Sequence, residues 1–227
     1  MLNPQKPSPT ATIALLRLSP CLLALLWAGC SDPSENVHRS TASAPTDVSQ
    51  TAATAASVDY VVRSGSTISF VGSKVTGSHD GGFNKFEGTV PVADGKITGT
   101  PVIRIDMDST WSDNNRLTGH LKNADFFDVP TYPFSTFTVT SVSPQADKHL
   151  VTGNLDLHGV TKSVSFPADV RITPEELTLK AEFALNRKDF NINYTGRADD
   201  LIRDNVVIRL DLKASPGPAR PEDRIAP

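Results

Sequence analysis

The chain has 227 residues, enough for one ordinary domain with appendages and short for two. A hydrophobic fraction of 38% with 21% charged residues is ordinary for a soluble protein and forces neither a disordered nor a membrane class. The net charge of −3 argues against a nucleic-acid partner, because phosphate binding needs a basic surface.

The N-terminus reads as an export signal over residues 1–29. It carries Lys6 and Arg17 and no acid, so its removal takes the net charge from −3 to −5. Leu18–Ala28 is an apolar run of signal-peptide length and too short to span a bilayer comfortably. It closes on Leu26-Trp27-Ala28-Gly29-Cys30, which resembles a bacterial lipoprotein box with Trp27 where Leu is usual. Cys30 is therefore the expected lipidation site, and an ordinary signal cut near Ala28 is the alternative. Ser31 does not look like an inner-membrane retention signal, which favours a lipid anchor on the periplasmic side of the outer membrane. The only cysteines are Cys21 and Cys30, so nothing beyond residue 30 can form a disulfide or a thiolate metal site.

Residues 30–57 are rich in Ser, Thr, Ala and Pro without a hydrophobic period, and are expected to be a flexible tether. Such a chain spans roughly 30 Å. Residues 58–214 alternate apolar and polar with period two, so each strand has one dry and one wet face. Ile103, Ile105 and Met107 alternate with Arg104, Asp106 and Asp108, and Val164, Phe166 and Ala168 with Ser163 and Ser165. Parallel α/β sheets are apolar on both faces and are excluded. An antiparallel sandwich or an up-and-down barrel remains. Turn signals stand at Ser64-Gly65-Ser66, Ala93-Asp94-Gly95, Ala146-Asp147-Lys148, Gly159 and Thr173-Pro174-Glu175.

One stretch departs from period two. Asp113 is placed to cap a short helix through Asn123, with Leu117, Leu121 and Ala124 on one face. A loop anchored by Phe126, Phe127 and Tyr132 follows. Residues 215–227 hold four of the prolines and are expected to be disordered.

In such a barrel the inward positions would be Phe70, Ile103, Ile105, Met107, Phe137, Val139, Leu155, Leu157, Val164, Phe166, Leu179, Phe183, Ile208 and Leu210. A small barrel either packs such side chains together or leaves room for one ligand, and the pattern alone does not separate the two. His120 and His158, with Phe126 and Phe127, are candidates for the mouth or a ligand head group. His79, Asp80 and His120 share no metal-ligand spacing, so no metal is expected. No nucleophile elbow or phosphate loop appears, and the nearest approach to a catalytic constellation is His120 with Asp125 or Asp128, so no cofactor and no chemistry are expected. The rival readings are an enzyme acting on the apolar ligand through His120 or His158, and a ligand-free interaction module.

Two segments carry a family resemblance. Leu117-Thr118-Gly119-His120-Leu121-Lys122, followed by Asp125-Phe126-Phe127-Asp128-Val129, Tyr132-Pro133 and Phe137, resembles the YceI-like polyisoprenoid-binding family. Gly153 and Leu155–Lys162 match its second hallmark, and Arg187-Lys188-Asp189-Phe190 and Asp204–Leu212 its closing strands. Asn191 stands where the family usually has Gly. The resemblance implies an all-β, antiparallel, lipocalin-like barrel of about eight strands. It also implies a polyisoprenoid or similar amphipathic lipid, such as a quinone-type tail, in the lumen (the isoprenoid or quinone substrate of the rival enzyme using His120 or His158), and a homodimer as an open alternative.

Overall fold

A computed structural model describes residues 32–48 and 57–225. The expected signal segment and Cys30 lie outside the described residues. Eight strands form the wall. They are β1 (Val58–Val62 and Thr67–Lys74), β2 (Gly77–Phe83 and Phe86–Ala93), β3 (Val102–Asp106 and Thr110–Ser112) and β4 (Phe134–Gln145). Then come β5 (Lys148–Leu157), β6 (Val160–Ile172), β7 (Leu177–Asn186) and β8 (Asn205–Pro216). Each pairs antiparallel with its neighbour in sequence, and β8 returns to β1, where Ile208 opposes Phe70 and Ala214 opposes Val62. The sheet is therefore a closed up-and-down barrel, and the sandwich alternative is excluded.

The first three strands are each interrupted at one level. Ser64-Gly65-Ser66 is not a turn between strands but part of an insertion in β1, whose two halves face the same partner, β8. Three other signals close hairpins of two residues, Asp94-Gly95, Ala146-Asp147 and His158-Gly159. Asp94-Gly95 and His158-Gly159 hold φ of 52° and 70°, and of 53° and 71°. Positive φ at both positions matches the twist of the flanking strands. Gly153 lies at a register shift between β4 and β5. A Cβ there would sit 2.5 Å from the Phe137 ring and 2.6 Å from the Thr138 carbonyl oxygen, so glycine is required.

The helix α1 (Asn115–Leu121) is shorter than expected and is capped by Asn114, not Asp113. Asn114 Oδ1 accepts from the amides of Arg116 and Leu117 at 3.0 and 3.1 Å. Asp113 is engaged elsewhere, by His79 at 2.8 Å and the Asp80 amide at 3.2 Å. Leu121 is buried, whereas Ala124 lies beyond the helix and is exposed. Asn191 adopts φ 58° after the turn Arg187–Phe190. Asn tolerates this left-handed conformation better than other non-glycine residues, so the substitution leaves the turn intact.

Both appendages differ from expectation. The supposed tether is folded over 32–48. Asp32 pairs with Arg203 at 3.3 Å, Ser34 is fully buried, and Ala42–Ser43 joins the sheet beside β6. The segment docks where the outer wall is apolar: Val71, Val207 and Ala184 are adjacent in register, point away from the lumen and are buried. A composition poor in large apolar residues concealed this, because docking uses backbone groups and a patch supplied by other strands.

The tail is likewise ordered through Ile225. Ser215 and Pro216 oppose Val61 and Tyr60, and Asp223 meets Arg63 at 2.6 Å with its side chain wholly buried. The Ile225 amide donates to Glu87 at 3.0 Å. Prolines that cannot extend a ladder still give a stiff chain with little entropy to lose on docking.

This dock has a pH dependence. Burial raises the Asp223 pKa, but hydrogen bonds from Arg63 and the Arg220 amide, with both positive charges, outweigh it and leave the carboxyl below its ordinary value. A depressed folded pKa means that the stabilisation is complete above the unfolded pKa and lost as pH falls through the folded one. Hydrogen-exchange protection factors across 217–225 should therefore be high at neutral pH and fall as pH drops below the ordinary aspartate range. Asp223→Asn should show low protection at both; unchanged protection would refute the assignment.

Candidate functional site

Alternation sends every second side chain of the eight strands inward, and the result is a continuous apolar space. A cavity of about 260 Å³ runs through the barrel. Packed interiors leave few voids larger than one water, whose share of liquid volume is about 30 Å³. The lumen is therefore an open bore and not an interlocked core. It reaches from Val62, Leu177 and Ala214 at one end to Leu121, Phe126 and Ile192 at the other.

All fourteen inward residues named from the sequence lie on this wall. So do Phe126 and Phe127, the latter edge-on to Phe70 with ring centroids 6.4 Å apart. Phe166 and Phe183 stack face to face at 4.2 Å. The two histidines are placed differently. His120 Nε2 lies 2.6 Å from Asp125 Oδ2, and its ring sits edge-on to Phe126 and Tyr194. It borders a separate polar groove with Lys74, His79 and Arg116. His158 occupies the β5–β6 turn, with Nδ1 3.1 Å from the Phe190 carbonyl and its ring against Tyr132. Neither is part of the cavity wall: His120 closes an outer aromatic cluster and His158 fixes a turn.

The sequence reading missed several wall residues. Val151, Phe83 and Val206 share the alternation and were within reach of it. Ile192 and Ile202 come from an irregular segment that has no period to read. Arg187 gave no signal, because a charged residue reads as surface. It lines the cavity at 5% side-chain exposure. Its guanidinium donates to the carbonyls of Ile192, Arg203 and Ile202 at 2.5, 3.1 and 3.3 Å, and meets Asp204 at 3.5 Å. Burial pulls its pKa down, and the Asp204 charge opposes that shift. Ser135, the other polar wall residue, donates to the Asp156 carbonyl at 2.7 Å.

A family model for the YceI-like domain matches residues 60–214. The chain belongs to the YceI-like family. Its match covers the eight strands almost entirely and stops short of residues 32–48. The Salmonella arizonae protein YceI is 33% identical over 119 residues, covering 49% of this chain and 62% of the relative. A UPF0312 protein of Pectobacterium atrosepticum gives the same values. The chain thus spans less than two thirds of these YceI-like relatives. Among solved structures, Burkholderia cenocepacia BcnA superposes with a TM-score of 0.60 at 26% identity, covering 66% of this chain and 97% of BcnA. A polyisoprenoid binding domain from Saccharophagus degradans gives 0.58 at 19% identity, covering 71% and 100%, and shares the fold.

Proposed function

We propose that this YceI-like barrel carries or stores a polyisoprenoid or related amphipathic lipid, with a quinone-type tail in the lumen, and performs no chemistry on it. The observation that carries this reading is the open, apolar bore. The polyisoprenoid binding named for the Saccharophagus domain of the same fold agrees with it. Among the described residues on the wall, only Ser135 and Arg187 are polar, and both direct their donors into protein carbonyls. The enzyme reading would need His120 or His158 at the lumen, and both lie off it.

Magnitudes favour a carrier. A forty-carbon prenyl tail would gain on the order of 30 kcal/mol on leaving water, at ~0.8 per carbon. No non-covalent affinity realises that much. The tail comes from a bilayer, which is as apolar as the lumen, so transfer is near neutral and the shape of the bore decides it. We place the protein in the bacterial envelope, on the periplasmic side, anchored through Cys30. With Asp32 fixed at Arg203, only Ser31 separates that cysteine from the described wall. A lipidated Cys30 would then hold the barrel against the bilayer and not roughly 30 Å above it.

Mass spectrometry of organic extracts from natively purified protein tests this. A prenyl-chain lipid near one per barrel is the expected result, and barrels that yield no lipid would overturn it.

A further inference from the structure

The seam between β6 and β7 is not closed by its two strands alone. There, only Asp169–Ile172 pairs with Leu177–Lys180. By contrast, β6 pairs with β5 from Val160 to Ala168, and β7 pairs with β8 along its whole length. The parted segments are bridged by the N-terminal chain. The Ala184 amide of β7 donates to the His38 carbonyl at 2.7 Å, and the Ser40 amide donates to the Ala184 carbonyl at 2.9 Å. Ala42 and Ser43 lie opposite Val164 and Ser163 of β6, and Ser40 Oγ donates to the Ser165 carbonyl at 3.0 Å. Residues 38–43 are thus an extra wall strand, parallel to β7 and antiparallel to β6.

We propose that this seam is the lateral portal through which a chain-like lipid reaches the lumen, with residues 38–43 as its removable closing strand. The inference rests on the lumen being the lipid site. Three observations carry it. First, every strand of the barrel sends large apolar side chains inward, whereas His38-Arg39-Ser40-Thr41-Ala42-Ser43 sends none. The strap is held by hydrogen bonds that water can replace, the signature of a segment that opens locally before the rest. Second, its two ends differ. Asp32 at Arg203 and buried Ser34 fix the start. Thr46 is clipped by two solvent-exposed bonds to Asn154, at 2.9 and 2.7 Å, and by one hydroxyl bond to Ser163 at 3.2 Å; among the described residues this end has no ion pair and no buried side chain of its own, so it releases. Third, the strands flanking the strap carry cavity wall at its level: Val164 and Phe166 on β6, Phe183 and Leu185 on β7. Once the strap lifts, the stacked pair Phe166 and Phe183 is what stands in the seam. A side slot admits a long chain along its length, whereas an end opening would require threading it tip first.

The test is uptake of an NBD-labelled geranylgeranyl alcohol from phosphatidylcholine vesicles by the full chain. Ser43→Cys with Ser163→Cys, in a Cys21→Ser, Cys30→Ser background, locks the strap by a disulfide. The two positions are direct cross-strand partners, a spacing that suits the bond. The oxidised protein should take up probe at least about tenfold more slowly than the same protein after reduction, as expected when a gating segment controls access. Both forms should reach the same final occupancy. Ser40→Pro removes the amide and hydroxyl donors to β7 and β6 and should speed uptake by about threefold or more. Equal oxidised and reduced rates with full binding would overturn the portal and leave the lumen reading intact. Failure of every form to bind would overturn both.

Discussion

Replacing Arg187 with Met is expected to destabilise the barrel by about 3–5 kcal/mol, the range for removing one member of a buried, hydrogen-bonded charge system. The guanidinium is the tie between the turn after β7 and the segment entering β8. It binds the carbonyls of Ile192, Ile202 and Arg203, which lie beyond the point where the β7–β8 ladder ends at Asn186 and Asn205. Met has a similar reach and no donor, so those carbonyls lose their partner, and bonds to charged donors count for about 1.5–3 kcal/mol each. A domain with a total stability of about 5–15 kcal/mol loses a large part of it. Arg187→Lys keeps the charge without the planar fork and should fall between wild type and Met. Urea unfolding midpoints measure this, and a loss below about 1 kcal/mol for Met would show that the loop is held by other contacts.

The second large effect concerns binding. Leu179→Trp together with Leu210→Trp should lower the lipid recovered per barrel by about tenfold or more, since a filled pocket excludes its ligand. Both leucines line the bore, on the neighbouring strands β7 and β8. Larger side chains in a packed core cost stability, but here the indole rings enter open space, so the melting temperature should change little. Leu201→Trp, at a half-exposed position off the wall, is the control and should bind normally. Undiminished lipid in the double variant would mean that the ligand sits elsewhere.

Leu179 and Leu210 also show why the wall was legible from the sequence. Side-chain direction in a strand is a local property with period two, so Leu177, Leu179, Ala181 and Phe183 declare a common face without any knowledge of partners. The turn glycines are local in the same way, because Gly95 and Gly159 answer to the backbone of two residues. The helix cap was misread by one position for a non-local reason: His79, far away in sequence, takes the side chain of Asp113.

Sequence alone therefore determined that the strands are antiparallel and amphipathic, which residues face inward, and, through the two central motifs, which family they belong to. Only the closed sheet decided that the inward side chains leave a bore, because its width depends on how many strands close and with what stagger. The closed sheet also decided that residues 32–48 and 216–225 are docked, and that Arg187 is inside. Those segments are held by carbonyls, amides and patches belonging to distant strands, and a hydrogen bond to a backbone group leaves no periodic trace in the residues that make it.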